Sequence, residues 1–450
     1  MSRSWWLLCV GVGGALCASG CLRFGYDEVV KGDARDAAVR PRDDGGGTVG
    51  DAGRMDAGGS GVAMDAGPLD AGQQPDGQSD TPKDAMSGVP SDASGSARDA
   101  GVVDAAGLSA PCASGHQFAV VAGQIIGAPH SDFPVLVSLT ASWLATVDNG
   151  GLVTNPLAAD LRFTGDLGGG SVLPSEVEHY DPATGSLVAW VRIPSLTAAT
   201  KFYLYSGDCA NQLPQPSPTV WTHYSAVWHL QNNMDATGQG NDCVDVDPLI
   251  STAGRFADGR AVASNAGTLD CGSNQPVDDL FSAGGSLSLW IKPDTTGGGP
   301  AGRIVSKEDQ AAMNVDGWAL FLDTNPSGSL YFKYDSFDGR SGGWSTAADS
   351  VALGSWHWIV VQYSSASTSE VPDMFVDGKA VALRNSSTAP SGALLSDGAT
   401  NFYIGNMGNV SRSYLGVMDE LRVAKELHSA AWIQTEYNNQ QDPSGFFTIK

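Results

Sequence analysis

Basic residues are scarce in this chain. Its 450 residues hold 25 Lys and Arg against 49 Asp and Glu, a formal net charge of −24. A surface of that sign repels phosphate backbones, which argues against nucleic acid as a partner. The surplus carboxylates serve solubility and offer hard oxygen ligands of the kind Ca²⁺ takes. Charged residues make up only 16%, whereas glycine reaches 57. Low charge, abundant glycine and many short apolar runs speak against a helical enzyme and for an extracellular all-β protein. Compact catalytic signatures are missing too: there is no His-Glu-x-x-His and no phosphate loop. The 7 histidines do not cluster at metal-ligand spacing, and the 7 cysteines form no Cys-x-x-Cys. A zinc site built on cysteine pairs is therefore not expected.

What the chain does have begins at its first residues. Arg3 supplies a positive charge, and Trp5 to Leu16 is an apolar run too short for a membrane span. Ala18-Ser19-Gly20-Cys21 follows. These small residues before a cysteine resemble the lipobox of bacterial lipoproteins. The resemblance implies a signal peptide over 1–20 and a lipid-modified Cys21, so the membrane partner is reached through an acyl anchor. Each buried CH₂ contributes about 0.8 kcal/mol, and more than one acyl chain holds durably. Leu22 stands where the familiar sorting pattern has Asp for inner-membrane retention, which points to the outer membrane. Cys9 and Cys17 leave with the signal peptide. Cys112, Cys209, Cys243 and Cys271 remain, an even number with three possible disulfide pairings. Nearness in sequence favours Cys112–Cys209 and Cys243–Cys271.

Residues 21–111 are of low complexity, with Asp-Ala-Gly recurring at Asp51, Asp56, Asp65, Asp70 and Asp99. Over 22–111 the chain carries 16 acidic against 8 basic residues and few large apolar ones. Such a segment buries too little surface to offset chain ordering, so a disordered linker is expected. About 90 flexible residues reach roughly 50–60 Å. This linker resembles the Asp/Ala/Gly-rich stalks of myxobacterial-type lipoproteins.

From Cys112 the texture changes to short strand-like runs separated by Pro, Gly, Asn and Asp. Residues 133–139, 160–164, 176–180, 187–193 and 201–205 predict a β-sandwich over 112–216. Pro214, Pro216 and Pro218 mark a boundary. A second series follows at 286–292, 317–323, 329–335, 356–363, 401–405 and 414–424. Met374 to Val381 reads as a hairpin turning on Asp377-Gly378. One helix is predicted near 429–439, capped by Ser429, with Trp432, Ile433, Glu436 and Tyr437 at helical spacing.

Phe-Pro-Val-Leu-Val at 133–137, Asp-Leu-Arg-Phe-Thr at 160–164, Leu-Pro-Ser-Glu-Val-Glu at 173–178 and Leu-Val-Ala-Trp-Val-Arg-Ile-Pro at 187–194 resemble an uncharacterised bacterial β-domain family. Ser-Leu-Trp-Ile-Lys-Pro at 288–293, Trp-His-Trp-Ile-Val-Val at 356–361, Phe-Val-Asp-Gly-Lys at 375–379 and Met-Asp-Glu-Leu-Arg-Val at 418–423 resemble laminin-G-like domains of the concanavalin A-like lectin group. That second resemblance covers 221–450 and implies a two-sheet jelly roll. The expected fold class is thus all-β, a β-sandwich followed by a concanavalin A-like jelly roll. The resemblance also implies a structural Ca²⁺ held by a late-strand carboxylate, which places Asp419 as a ligand. Asp235 or Asp242, in a loop rich in Asp, Gly and Asn, would assist.

Three further features bear on function. Glu176 and Glu178 stand two apart on a strand and share a face, as paired carboxylates in glycosidases do. Jelly-roll glucanases carry their pair on the jelly roll itself, so these two are expected to face solvent. His223 and His229 flank a short strand that would put both on one face, as surface or packing residues. Trp344, after Ser341-Gly342-Gly343, is expected on a loop, where its ring could stack on a sugar. The leading expectation is a surface-displayed binding or adhesion lipoprotein that recognises glycan or a surface protein, with no catalytic residues. A structural envelope spacer and a divergent glycoside hydrolase remain as alternatives.

Overall fold

The computed structural model describes residues 114–127, 129–207, 217–263, 267–297, 301–308, 317–324, 327–384 and 387–450. Cys21, Cys112, Cys209 and the 21–111 linker lie outside the described residues. All that is described belongs to one compact unit.

The first six strands are β1 (Ser114–Val120), β2 (His130–Thr140), β3 (Arg162–Thr164), β4 (Ser175–Asp181), β5 (Ser186–Leu196) and β6 (Lys201–Ser206). Then come β7 (Ala226–Trp228), β8 (Val244–Asp247), β9 (Ile250–Ala253), β10 (Asp258–Val262), β11 (Thr268–Asp270), β12 (Gly285–Pro293), β13 (Gly302–Glu308) and β14 (Gly317–Thr324). β15 (Ser327–Tyr334), β16 (Gly342–Ser345), β17 (His357–Tyr363), β18 (Asp373–Val376), β19 (Lys379–Ala380), β20 (Tyr403–Ile404) and β21 (Gly416–Ala424) complete the jelly roll. Helix α1 (Ala430–Gln441) and β22 (Phe447–Ile449) end the chain. The all-β expectation holds, and the single helix falls where its cap and apolar spacing put it: Ser429 Oγ accepts from Trp432 N at 3.1 Å. The Asp377-Gly378 turn has positive φ at both residues, 52° and 73°, as a tight hairpin requires.

Four antiparallel sheets stack as layers. Among the described residues their orders are β16-β15-β14-β13-β20-β11-β8, β19-β18-β17-β12-β21-β10-β9 with β7 added on β21, β2-β5-β4, and β22-β1-β6-β3. The seven- and eight-stranded sheets close over the jelly-roll core, including Leu289, Ile291, Leu320, Phe332, Ile359 and Leu421. The small sheets close over a second core, including Phe118, Phe133, Val191 and Phe202. β5 belongs to two cores: Leu187, Ala189 and Val191 face the second, while Val188 and Trp190 face the outer surface of the jelly roll. That double burial explains why its sequence is a continuous apolar run rather than an alternating one.

The chain end ties the two β units together. β22 pairs with β1 at Phe118↔Ile449 and Val120↔Phe447. Helix α1 lies on the outer face of the eight-stranded sheet, where Ile433 and Tyr437 meet Trp290, Trp358 and Phe375. From the same helix, Asn439 acts as a surrogate strand for β2: its Oδ1 accepts from Leu136 N at 2.7 Å and its Nδ2 donates to Leu136 O at 3.0 Å. Both atoms are buried. Asn439→Ala should therefore cost about 2 kcal/mol, because two backbone groups lose partners that water cannot replace. Urea unfolding checks this, and a loss below about 0.5 kcal/mol would refute it.

Cys243 and Cys271 form a disulfide, as nearness in sequence favoured. It sits beside the β8–β11 pairing, where Val244 opposes Asp270.

Candidate functional site

The residues that gather most chemistry come from three strands in two different sheets. β21 is the pivot. Its inward residues are Met418, Leu421 and Val423, so the spacing is three and then two. A bulge causes this: Ser288 of β12 opposes Arg422 and Trp290 opposes Asp419, leaving one extra residue on β21. Glu420 sits at the bulge with φ +53°. The inserted residue lets Asp419, Glu420 and Arg422 all turn away from the core onto the outer face of the sheet. At the same place β21 changes neighbour, pairing with β10 through Met418 and with β7 from Leu421 onward.

β7 alternates plainly, with Ala226 and Trp228 inward and Val227 outward. His229 continues the outward set. Facing it across the layer boundary is β4, which delivers Glu176 and Glu178 on one face as their spacing predicts. The face is not the one expected. The Glu178 and Glu176 side chains retain only 1% and 16% exposure, because this face of β4 packs on His229 and on the Trp190 and Trp221 rings. The reading of these two as solvent-facing is thereby corrected.

The contacts are close. His229 Nδ1 lies 2.6 Å from Glu420 Oε1 and 3.7 Å from Glu178 Oε2. Its Nε2 lies 3.4 Å from Glu176 Oε2. Each carboxylate accepts from further donors. Trp190 Nε1 and Gln231 Nε2 each donate to Glu178 at 2.8 Å. Trp221 Nε1 donates to Glu176 at 2.7 Å. Arg422 donates to Glu420 at 2.6 Å and to Glu436 of α1 at 2.9 Å, with its guanidinium 4.0 Å from the centre of the Trp190 ring and 4.7 Å from that of Trp221.

Burial and crowding set the protonation states. Burial, reinforced by the Glu420 charge, pushes Glu178 up to about 7. Burial would raise Glu420 as well, but His229 and Arg422 outweigh it and hold Glu420 down to about 2. Burial opposes a charge on His229, yet Glu420, Glu176 and Glu178 together keep it protonated well above the usual histidine range. Asp419 is driven well above the carboxylate range by burial and by Glu420 and Glu178. A cleft of about 280 Å³ opens onto this cluster, lined by Glu176, Glu178, His229, Gln231, Asn232 and Met234 among others. Glu420 does not line it.

The residues singled out for Ca²⁺ do not fit that ion. Asp235 organises its own loop, accepting from Val227 N, Thr237 N and Oγ1, and Asn241 Nδ2. Asp242 accepts from Asp235 N. Asp419 Oδ2 takes the amides of Arg255 at 2.5 Å and Phe256 at 3.3 Å. Gly254 permits that approach, since a Cβ there would stand 2.5 Å from the same oxygen. Among the described residues none of these three belongs to a group of three or more donor side chains close enough together to hold a cation, and Ca²⁺ needs six to eight oxygen ligands.

Trp344 is likewise corrected. It lies in β16, not on a loop, with 2% exposure, against Phe332 and Tyr363. Its neighbour Gly342 lies directly under the ring, where a Cβ would approach to 2.3 Å. A ring packed on both faces presents nothing to a sugar. His223 does not join His229; it pairs with Glu426 at 2.6 Å in a separate place. β7 begins only at Ala226, so the alternation that would have aligned the two histidines does not extend back to His223.

A family model described as the concanavalin A-like lectin/glucanases superfamily matches residues 271–434, so a domain of that superfamily occupies this stretch. No curated protein matches the chain. Solved structures similar to it include the binding domain of Paraclostridial Mosquitocidal Protein 1, at 11% identity and a TM-score of 0.38, covering 48% of this chain and 52% of that one. Domain 4 of AbnA, a GH43 extracellular arabinanase from Geobacillus stearothermophilus, in complex with arabinotriose, is similar at 15% identity and a TM-score of 0.33, covering 48% and 98%. Trypanosoma rangeli sialidase in complex with the inhibitor DANA is similar at 15% identity and a TM-score of 0.34, covering 48% and 31%. The chain spans about half the length of the first of these structures.

Proposed function

We propose that this chain is a membrane-anchored binding protein. Acylated Cys21 fixes it to the cell envelope, at the outer membrane. The 21–111 segment links that anchor to the β units, which carry a recognition cleft for a glycan or a cell-surface partner. The observation that carries the reading is the recessed polar cleft between β4 and the loop after β7. Gln231 and Asn232 supply both donors and acceptors there, which suits a hydroxyl-rich ligand. Met234, 58% exposed, offers apolar contact for a C–H face. The carboxylates of Glu176 and Glu178 disfavour anionic sugars, so a neutral glycan is the better fit. Binding suits the site better than hydrolysis: Glu420, the carboxylate kept ionised, is engaged by Arg422 and His229 and lies off the cleft lining.

A glycan array probed with the full chain tests the ligand. Met234→Ala and Asn232→Ala are expected to weaken binding to neutral glycans by about tenfold, the loss of roughly 1.4 kcal/mol. Absence of binding to every neutral glycan would count against the reading. Membrane fractionation tests the anchor: Cys21→Ser is expected to move the protein to the soluble fraction, and continued membrane association would refute it.

A further inference from the structure

We propose that Glu178, His229 and Glu420 form a site for a divalent first-row transition ion, with Zn²⁺ the natural occupant of such a donor set. The site would clamp β4 of the small sandwich to β7 and β21 of the jelly roll. It does not depend on the cleft binding a glycan.

Three observations lead here. The first is geometry. The ligand atoms of these three residues all lie within 4.8 Å of one another. His229 Nδ1 faces the two carboxylates at 2.6 and 3.7 Å. Donors around a tetrahedral zinc, at bond lengths of 2.0–2.1 Å, sit roughly 3.3 Å apart, so movements under about 1 Å close the site. One imidazole with two carboxylates suits a transition ion better than Ca²⁺, which prefers oxygen alone.

The second is the support behind each ligand. Ligating groups are held by hydrogen bonds on their far side, and a ligating histidine turns its other nitrogen to a carboxylate or carbonyl. Here Gln231 holds the Glu178 oxygen turned away from His229, Arg422 holds the Glu420 oxygen turned away from it, and the second nitrogen of His229 stands 3.4 Å from Glu176, itself fixed by Trp221.

The third is crowding of carboxyls. Glu176, Glu178 and Glu420 all face the single imidazole of His229. Carboxyls gathered this closely in the interior repel one another, and a dication in their midst relieves that repulsion. The cleft gives an ion access, since Glu178 and His229 both line it.

The test uses the full chain, stripped with chelator and dialysed, then titrated with ZnCl₂ by calorimetry and with CoCl₂ by visible absorption. One zinc per chain is expected, with a dissociation constant in the micromolar range or tighter. Cobalt is expected to give the intensified d–d bands of a four- or five-coordinate site. Glu178→Gln and His229→Gln should each weaken zinc binding at least tenfold, while Glu426→Gln, outside the cluster, should leave it unchanged. Failure to take up zinc, or uptake that neither cluster substitution alters, would overturn the proposal. Should both cluster variants fold poorly, the wild-type cobalt spectrum decides: bands no stronger than those of the aquo ion refute the site.

Discussion

Arg422→Met is expected to lower unfolding stability by about 3–5 kcal/mol, a large part of the stability of a domain this size. Arg422 is 1% exposed and serves as counter-ion to Glu420 on its own strand and to Glu436 on α1. Removing it strands two carboxylates in the interior, each pushed to take a proton or seek water. It also removes the cation that lies over the Trp190 and Trp221 rings, one of the contacts that join β5 of the sandwich to the jelly roll. Lysine should restore only part of the loss, because a single ammonium cannot face both carboxylates as the planar guanidinium does. The triple variant with Glu420→Gln and Glu436→Gln should recover more than half of it, since neutral amides need no counter-charge. Urea unfolding at neutral pH measures all three, and a loss below about 1 kcal/mol in Arg422→Met would show that the network contributes little.

Acid should destabilise the protein through His428 by about 2 kcal/mol between pH 7 and pH 5. Burial holds this imidazole down to about 4, with Glu426 pulling upward and the neighbouring His223 pushing further down. Its ring stacks on Trp432 at 5.0 Å, and its Nε2 lacks a partner among the described residues. The sign follows from which state takes the proton first. As pH falls through 6.5 the unfolded chain is protonated while the folded one is not. The stabilisation is therefore complete above pH 6.5 and is lost progressively down to about 4. His428→Phe, which keeps the stacking without the titration, should flatten the slope over this window by about 2 kcal/mol. An unchanged slope in the variant would refute the assignment. The facing His223–Glu426 pair acts differently. Its hydrogen bond to Glu426 raises His223 and lowers Glu426, so that pair stabilises across the middle of the pH range and weakens at either end.

Much of the fold was legible from the residues. The runs 133–139, 187–193, 286–292 and 356–363 each lie within or almost within an observed strand, because an apolar run between turn formers buries itself the same way in almost any sandwich. Asp377-Gly378 and Ser429 fixed a turn and a helix start through local backbone chemistry alone. Trp344 was misread for a local reason: Gly342 and Gly343 look like a loop, whereas they are the space into which the indole and the Tyr331 ring fit.

The cluster of Glu178, His229 and Glu420 was not legible, although each residue was in view. Glu178 and Glu420 stand far apart in sequence, and nothing local says that the two units share a face. One signal did exist: Met418, Leu421 and Val423 break the period of two, which marks a bulge and frees Glu420 from the expected alternation. Composition, turn chemistry and apolar periodicity thus determined an acidic all-β chain with a capped terminal helix. Which carboxylates are buried together, and against which histidine, was decided only when β5 packed both of its faces and α1 and β22 closed back on the first sandwich. Charges draw their energetic meaning from what surrounds them, and that environment is assembled from segments hundreds of residues apart.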